Sequence, residues 1–114
     1  MNRANFVEQE LNVKLPLDYF DFINNIGYLI DKVEIYGYIE GMEIDKIPCV
    51  IGATRLYKED QDNIGDKEIV IAFDDYENSP IILNENGEVF RADFDEKVLI
   101  AKSFSEWKKE MNNE

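Results

Sequence analysis

The sequence predicts a single α+β domain. Its 114 residues suit one domain of ordinary size. Helical patterns occupy both ends of the chain, and strand patterns with a hairpin turn lie between them. An apolar content of 45% and an aromatic content of 12% are typical of a globular protein with a hydrophobic core.

Two helices are predicted near the start of the chain. The first covers about residues 5–11, because Asn5 followed three residues later by Glu8 has the form of a capping box. The second begins near Pro16, whose fixed φ suits a first helical turn, and ends at Gly27. Its apolar side chains recur at helical spacing at Tyr19, Phe22, Ile23 and Ile26.

The middle of the chain has weaker patterns. A half-buried strand is predicted from Val33, with Glu34 and Tyr36 on the face opposite to Val33 and Ile35. Residues 51–60 are predicted as a short helix. Its expected apolar contacts are Leu56 and Tyr57.

Strands are predicted in the second half of the chain. The continuous apolar run of residues 69–73 is typical of a central strand that is covered on both faces. Residues 81–83 and 89–94 form a predicted hairpin around Asn86 and Gly87, which readily supply the positive φ angles of a tight turn.

The last helix has the clearest local signature. Ser103 and Glu106 have the spacing of a capping box, in which the two side chains satisfy each other's backbone amides. Phe104, Trp107 and Met111 form one apolar stripe, which is expected to face the core.

Charge is the strongest feature of the composition. The chain has 25 acidic and 12 basic side chains and a net charge of −13. Residues 59–96 contain 13 of the acidic residues but only Lys67 and Arg91 as bases, which gives −11. Such a field repels nucleic acid and anionic membranes and attracts basic partners. The alternative is that the acidity only keeps the protein soluble.

The sequence offers few routes to catalysis. It contains no histidine, which excludes histidine-based triads and common zinc sites. A calcium-like loop at residues 60–71 has Ile64 and Ile71 where liganding residues are needed. Asp74 and Asp75 are adjacent on a strand, so their side chains should point to opposite faces. We therefore expect no metal, no cofactor and no enzymatic activity, with a small acidic hydrolase as a remaining alternative.

The single cysteine indicates the compartment. Cys49 lies in an apolar stretch and is expected to be a buried thiol, which suits a reducing environment. The N-terminus shows no apolar signal region, and no apolar run reaches the length of a membrane span. We expect a soluble cytoplasmic protein.

Tyrosines mixed with carboxylates suggest a protein-binding surface, because tyrosine is enriched at binding hot spots. Alternatively, each tyrosine is a half-buried core residue with its hydroxyl in water. The predicted partner-binding residues are Glu34, Tyr36, Tyr38, Glu40, Glu43, Asp74, Asp75, Tyr76 and Glu77.

Three landmarks resemble the SUKH superfamily. They are LNVKLPLDYFDFINNIG at residues 11–27, IVIAFDDYENSPIILNENGEVF at residues 69–90 and AKSFSEWKKEM at residues 101–111. They occur in the order that this superfamily shows. The sequence departs from the pattern at Ile26, which separates Asn25 from Gly27, and at Asn84, where many members have Asp.

The resemblance implies a mixed, mostly antiparallel sheet with helices packed against it. It also implies a binding role: bacterial members are regarded as immunity proteins that neutralise toxins, often nucleases, and eukaryotic relatives serve as regulators of cell-wall synthesis and as scaffolds. We expect a toxin partner with a basic surface, or a scaffold role without a toxin. The oligomeric state stays open.

Overall fold

The computed structural model of the protein describes residues 2–112. These residues form α1 (Arg3–Leu11), α2 (Leu17–Asn25), β1 (Leu29–Ile30), β2 (Glu34–Ile35), α3 (Val50–Asp60), β3 (Ile69–Asp74), β4 (Ser79–Leu83), β5 (Val89–Ala92), β6 (Lys97–Ala101) and α4 (Phe104–Asn112). β1 and β2 form a small antiparallel sheet, and β3 to β6 form an antiparallel meander in chain order. The predicted α+β fold is confirmed.

The first helix begins earlier than predicted. Asn2, not Asn5, is the N-cap: its side-chain oxygen accepts a hydrogen bond from the Asn5 amide at 2.8 Å. Both asparagines can cap a helix, and the cap at Asn2 uses the Asn5 amide as its donor. Val7 faces the core as an amphipathic helix requires.

The second helix follows the prediction closely. It begins directly after Pro16 and buries Tyr19, Phe22 and Ile23, while Ile26 is exposed at its end. Asp18 in its first turn also accepts hydrogen bonds from the amide and hydroxyl of Ser105, at 3.0 and 3.1 Å. The start of α2 is thereby joined to the start of α4.

The third helix lies against β3. The Thr54 hydroxyl accepts a hydrogen bond from the Val70 amide at 2.9 Å, and the ring of Tyr57 stacks on Phe73 with centroids 5.7 Å apart. Leu56 is 42% exposed, so the prediction that it makes an apolar contact is wrong. Residues 50–54 form the buried part of the helix instead.

The strand predicted to be central lies at one end of the main sheet. β3 is buried on both faces over Ile69–Ala72, but only β4 pairs with it along its whole length. Its other edge receives one hydrogen bond, from the Tyr36 amide to the Ile71 carbonyl at 2.7 Å. The apolar run therefore reports burial correctly, but the position of the strand within the sheet was predicted wrongly.

The strand predicted from Val33 is reduced to two residues, Glu34 and Ile35. The strand ends there, because Gly37 packs against the backbone of Gly27 and forms a parallel bridge with Cys49. Tyr36 consequently does not share an exposed face with Glu34, since it is only 4% exposed.

The β4–β5 loop is longer than a two-residue turn. Gly87 has a φ of +91°, whereas Asn86 does not adopt a positive φ. The side-chain oxygen of Asn84 accepts hydrogen bonds from the amides of Asn86 and Glu88, at 3.0 and 2.9 Å. The hairpin was predicted correctly, but Asn84 organises its turn and only Gly87 needs the left-handed conformation.

The last helix begins at Phe104, and the Ser103 hydroxyl accepts a hydrogen bond from the Glu106 amide at 3.1 Å, as a capping serine should. Phe104 and Trp107 are buried in the core. Met111, the third member of the predicted core stripe, is 41% exposed, so its assignment to the core was wrong.

Candidate functional site

A groove of about 500 Å³ lies where the β3–β4 loop, the β1–β2 turn and α4 meet. We call it the acidic groove. Its apolar surface consists of Val33, Phe73, Ile81, Ile100, Trp107 and Met111, and its charged residues are Lys32, Asp74, Asp75, Glu77, Arg91 and Glu110, with Tyr76 beside them. An apolar floor with polar groups around it is the usual composition of a binding site.

The β3–β4 loop is held in shape by Asp74. One of its carboxylate oxygens accepts hydrogen bonds from the amides of Tyr76 and Glu77, at 2.9 and 3.0 Å. Asn78 takes a left-handed φ of 54°, and the Ser79 hydroxyl donates to the Glu77 carbonyl at 3.0 Å. These local bonds are typical of aspartate and serine in turns.

The loop presents Tyr76 to solvent. Its side chain is 99% exposed, the highest value among the large hydrophobic residues of the described chain. A ring that packs against nothing contributes little to folding, whereas a tyrosine on a fixed loop can anchor a partner with little loss of conformational entropy. The groove therefore has one aromatic side chain beside it that is almost completely exposed to solvent.

The two adjacent aspartates have different environments. The Asp74 carboxylate is engaged by backbone amides of its own loop, while Asp75 is exposed. Asp75, Glu77 and Glu110 form no ion pair within residues 2–112, so their charges remain available at the surface of the groove. Lys32 and Arg91 likewise have no ion-pair partner in this part of the chain.

Glu34 and Asp75 both lie close to a group of tyrosines. Glu34 accepts a hydrogen bond from the Tyr28 hydroxyl, and burial together with this carboxylate raises the pKa of Tyr28 to about 12. Burial raises the pKa of Tyr36, and the nearby Tyr57, Glu34 and Asp75 raise it further. The fold thus brings Glu34 to the vicinity of the β3–β4 loop.

We expect Tyr28 to ionise at a higher pH in the folded chain than in the unfolded chain. Its folded pKa of about 12 exceeds the ordinary value of about 10, so the protonated hydroxyl stabilises the fold. This stabilisation is fully present below pH ~10 and is lost as the pH rises towards ~12. Ultraviolet absorbance of tyrosinate, recorded with and without urea, measures the difference.

The matched variant is Glu34→Gln, which removes the negative charge beside the Tyr28 hydroxyl. We expect it to move the Tyr28 component of the late tyrosinate signal to lower pH, and Tyr28→Phe to remove that component, while the late signals of Tyr19 and Tyr36 remain because burial also raises their pKa values. Identical titrations of the native and the urea-unfolded chain would contradict the assigned environment.

Five of the predicted interface residues lie outside the acidic groove: Glu34, Tyr36, Tyr38, Glu40 and Glu43. Tyr38 packs against Phe6, with ring centroids 5.0 Å apart. Glu40 pairs with Arg3 at 3.0 Å, and the hydrogen bond from Arg3 lowers the pKa of Glu40. Glu43 pairs with a neighbouring lysine at 3.1 Å. These two carboxylates are already partly neutralised within the chain.

Comparison with known proteins agrees with this architecture. Residues 5–110 match the SMI1 / KNR4 family (SUKH-1), which covers nearly the whole chain. The chain belongs to this family. No curated protein and no solved structure matches it significantly. The superfamily predicted from the three sequence landmarks is therefore confirmed, although membership alone does not name a partner.

In this SUKH-1 protein the second wall of the groove was not predicted. Trp107, Glu110 and Met111 come from α4, and Lys32 and Arg91 come from the β1–β2 turn and β5. Spacing on the helix correctly identified an apolar stripe. No local signal separates Met111 from the core, because the next residue of the same helix, Asn112, is buried.

Two other kinds of group that could carry chemistry in this SUKH-1 protein are the Cys49 thiol and the carboxylates of the calcium-like loop. Cys49 is buried as predicted, and burial raises the pKa of its thiol, which disfavours the nucleophilic thiolate. In the calcium-like loop, the Glu68 carboxylate accepts hydrogen bonds from the Gly65 amide at 2.6 Å and from Lys97. Within residues 2–112, no group of three or more metal-ligating side chains comes together, and no helix could cross a membrane.

Proposed function

We propose that this SUKH-1 protein is a cytoplasmic bacterial immunity protein that blocks a cognate toxin by stoichiometric binding. The observation that carries the proposal is the acidic groove, where unpaired carboxylates surround an apolar floor and a fully exposed Tyr76. Family membership supports the same role, because binding of toxins is what the resemblance to bacterial members implies.

Charge favours a basic partner. The net charge of −13 is concentrated in residues 59–96, which form the β3–β4 loop and much of the main sheet. Oppositely charged surfaces accelerate encounter and exclude partners of like charge. At physiological ionic strength, salt screens the interaction between single charges beyond about 8 Å. Unpaired carboxylates at the contact itself therefore contribute most to binding. A toxin with a basic active cleft, such as a nuclease, fits these conditions.

Binding without turnover is consistent with the carboxylates that are present. The Asp74 carboxylate serves the backbone of its own loop, and Asp75 beside it is exposed to water. A hydrolytic carboxylate pair needs two groups that converge on one substrate bond. We therefore propose that the protein acts by covering the toxin and that it catalyses no reaction.

The proposal is tested by co-expression with toxin domains encoded next to the gene. We expect one such domain to stop growth when produced alone, and this chain to restore growth and to purify with the toxin as a complex. If no neighbouring product is toxic and rescued by the chain, the immunity role is wrong.

A matched pair of aromatic variants tests whether the toxin binds at the acidic groove. Tyr76→Ala should weaken the complex by about 10-fold to 100-fold, as expected for a tyrosine hot spot. Phe94→Ala is the control, because Phe94 is also strongly exposed but lies outside the acidic groove. Calorimetry of the purified complex measures both. Equal effects of the two variants would contradict an interface at the groove.

The alternative function is a regulatory scaffold of the same fold without a toxin partner. Family membership supports this alternative independently of the groove, because a role as regulator or scaffold is what the resemblance to eukaryotic relatives implies. Tagged protein purified from the native cell distinguishes the two roles. A toxin recovered in the complex supports immunity, and a housekeeping protein whose assembly depends on this chain supports scaffolding.

A further inference from the structure

We propose that the acidic groove binds one large apolar side chain that is flanked by lysine or arginine in a segment of the partner protein. This inference rests on the proposed function in assuming a basic protein partner, and it adds the chemistry of the segment that enters the groove.

The floor suits an apolar anchor. Phe73 is half-buried and Met111 is 41% exposed, so both still have apolar surface to lose to a partner. A volume of about 500 Å³ falls within the range of real ligand sites and exceeds what one side chain needs. Methionine adapts its shape to different apolar groups, which suits a site that must close around an inserted side chain.

The charges around this floor favour basic neighbours of the anchor. Four carboxylates line the groove, from Asp74, Asp75, Glu77 and Glu110, against two cations from Lys32 and Arg91. Lysine and arginine beside an apolar anchor could therefore bind the carboxylates without displacing any ion pair in residues 2–112. An acidic segment would meet unfavourable net charge at the same place.

The same charges argue against a second copy of the chain as the occupant. Tyr76 of one copy could reach the groove of another only by bringing two sets of unpaired carboxylates together. Each chain also carries a net charge of −13, which opposes self-association. A basic heterologous protein segment avoids both costs.

Trp107 provides a direct reporter of occupancy. It is the only tryptophan in the chain, it lines the groove and it is 1% exposed. A bound segment brings its lysine or arginine charges close to the buried ring and changes the electric field there, so the tryptophan emission should change on binding. Peptide probes without tryptophan make this signal specific to the groove.

The test begins with a random seven-residue peptide library displayed on phage, selected against the intact protein. We expect the enriched peptides to combine a large apolar residue with at least two lysines or arginines, and synthetic versions to change the Trp107 emission at a ratio of 1:1. Enrichment of acidic or wholly polar peptides, or no enrichment, would overturn the proposal.

Two matched pairs of variants locate the binding. Met111→Ser should weaken the peptide by about tenfold, whereas Leu56→Ser should not, although the two side chains are 41% and 42% exposed. Asp75→Lys should weaken it by a similar factor, whereas Asp95→Lys, with the same change in net charge but outside the groove, should have less effect. Equal loss within either pair would show that binding lies elsewhere or depends only on total charge.

The outcome separates this inference from the proposed function. If the peptides bind at the groove but no toxin is neutralised, the segment chemistry stands and the immunity role fails. If the chain rescues cells from a toxin equally well with Met111→Ser and with Asp75→Lys, the immunity role stands and the inference about the groove fails.

Discussion

Replacing Gly37 by alanine is expected to destabilise the protein by about 4 kcal/mol, close to the whole stability of a weakly stable domain. A Cβ at this position would lie 1.7 Å from the Gly27 carbonyl oxygen and 2.8 Å from its carbonyl carbon. Both are backbone atoms, so no side-chain rotation can relieve the overlap. The two backbone segments would have to separate.

Separation would also break the hydrogen bonds that surround this contact. The Tyr38 amide donates to the Gly27 carbonyl at 2.8 Å, and the Val50 amide donates to the Gly37 carbonyl at 2.8 Å. Each is worth about 1 kcal/mol, and more if a buried group is left without a partner. The substitution therefore disconnects the end of α2 from the segment that leads into α3.

Urea denaturation followed by circular dichroism measures the effect. With a typical slope for a small domain, we expect the midpoint to fall by roughly 2–4 M. Gly65→Ala is the control, because its Cβ would approach only the flexible end of Glu68, at 3.2 Å. We expect that variant to change stability by less than about 1 kcal/mol. A Gly37→Ala variant as stable as Gly65→Ala would show that this contact is not rigid.

Patterns that depend on a few neighbouring residues predicted the fold well. α2 and α4 followed from apolar periodicity and from a proline or serine at their starts. β3 and the β4–β5 hairpin followed from an apolar run and from turn residues. Errors at this local level arose at α1 and at the hairpin turn, where two asparagines compete: Asn2 with Asn5, and Asn84 with Asn86.

Contacts between distant parts of the chain could not be predicted in this way. The approach of Gly37 to Gly27 shortens the predicted strand and buries Tyr36, yet either glycine alone suggests only a turn or a bend. β3 was predicted to be central because burial on both faces resembles a central position, whereas it lies at the end of the sheet and α3 and β2 lie against it.

The same contrast applies to the candidate site: features of neighbouring residues could be predicted, and contacts between distant residues could not. Asp74–Glu77 could be recognised as an exposed acidic loop, because its residues are contiguous. Glu40 could not be recognised as partly neutralised, since its partner Arg3 is 37 residues away. The wall contributed by α4 required knowledge of how that helix packs on the sheet. Composition therefore located the acidic surface, and tertiary structure located the groove within it.

Replacing Trp107 by alanine is expected to cost about 3–5 kcal/mol, as for other buried tryptophans. The ring is 1% exposed and packs against Phe104, with centroids 6.1 Å apart. Its loss leaves a cavity between α4 and the sheet that the fixed backbone cannot fill. Far-ultraviolet circular dichroism in urea measures the change without relying on tryptophan emission.

Trp107→Phe is the matched variant. It retains an aromatic ring in the core and removes the indole Nε1–H, which has no hydrogen-bond acceptor within residues 2–112. A buried donor without an acceptor costs about 1–3 kcal/mol. Its removal should therefore offset much of the packing free energy that is lost with the smaller side chain. We expect Trp107→Phe to cost less than about 2 kcal/mol. If it cost as much as Trp107→Ala, the indole N–H would have to contribute favourably through a contact that the present packing lacks.

The comparison with Met111→Ala separates folding from binding. Met111 lines the same groove but is 41% exposed, so its truncation should cost less than about 1 kcal/mol. A change at Trp107 alters the groove and the core together, because one ring forms part of both. Substitutions at Met111 alter only the groove. Loss of partner binding in a Met111 variant with unchanged stability would therefore assign the effect to the surface rather than to the fold beneath it.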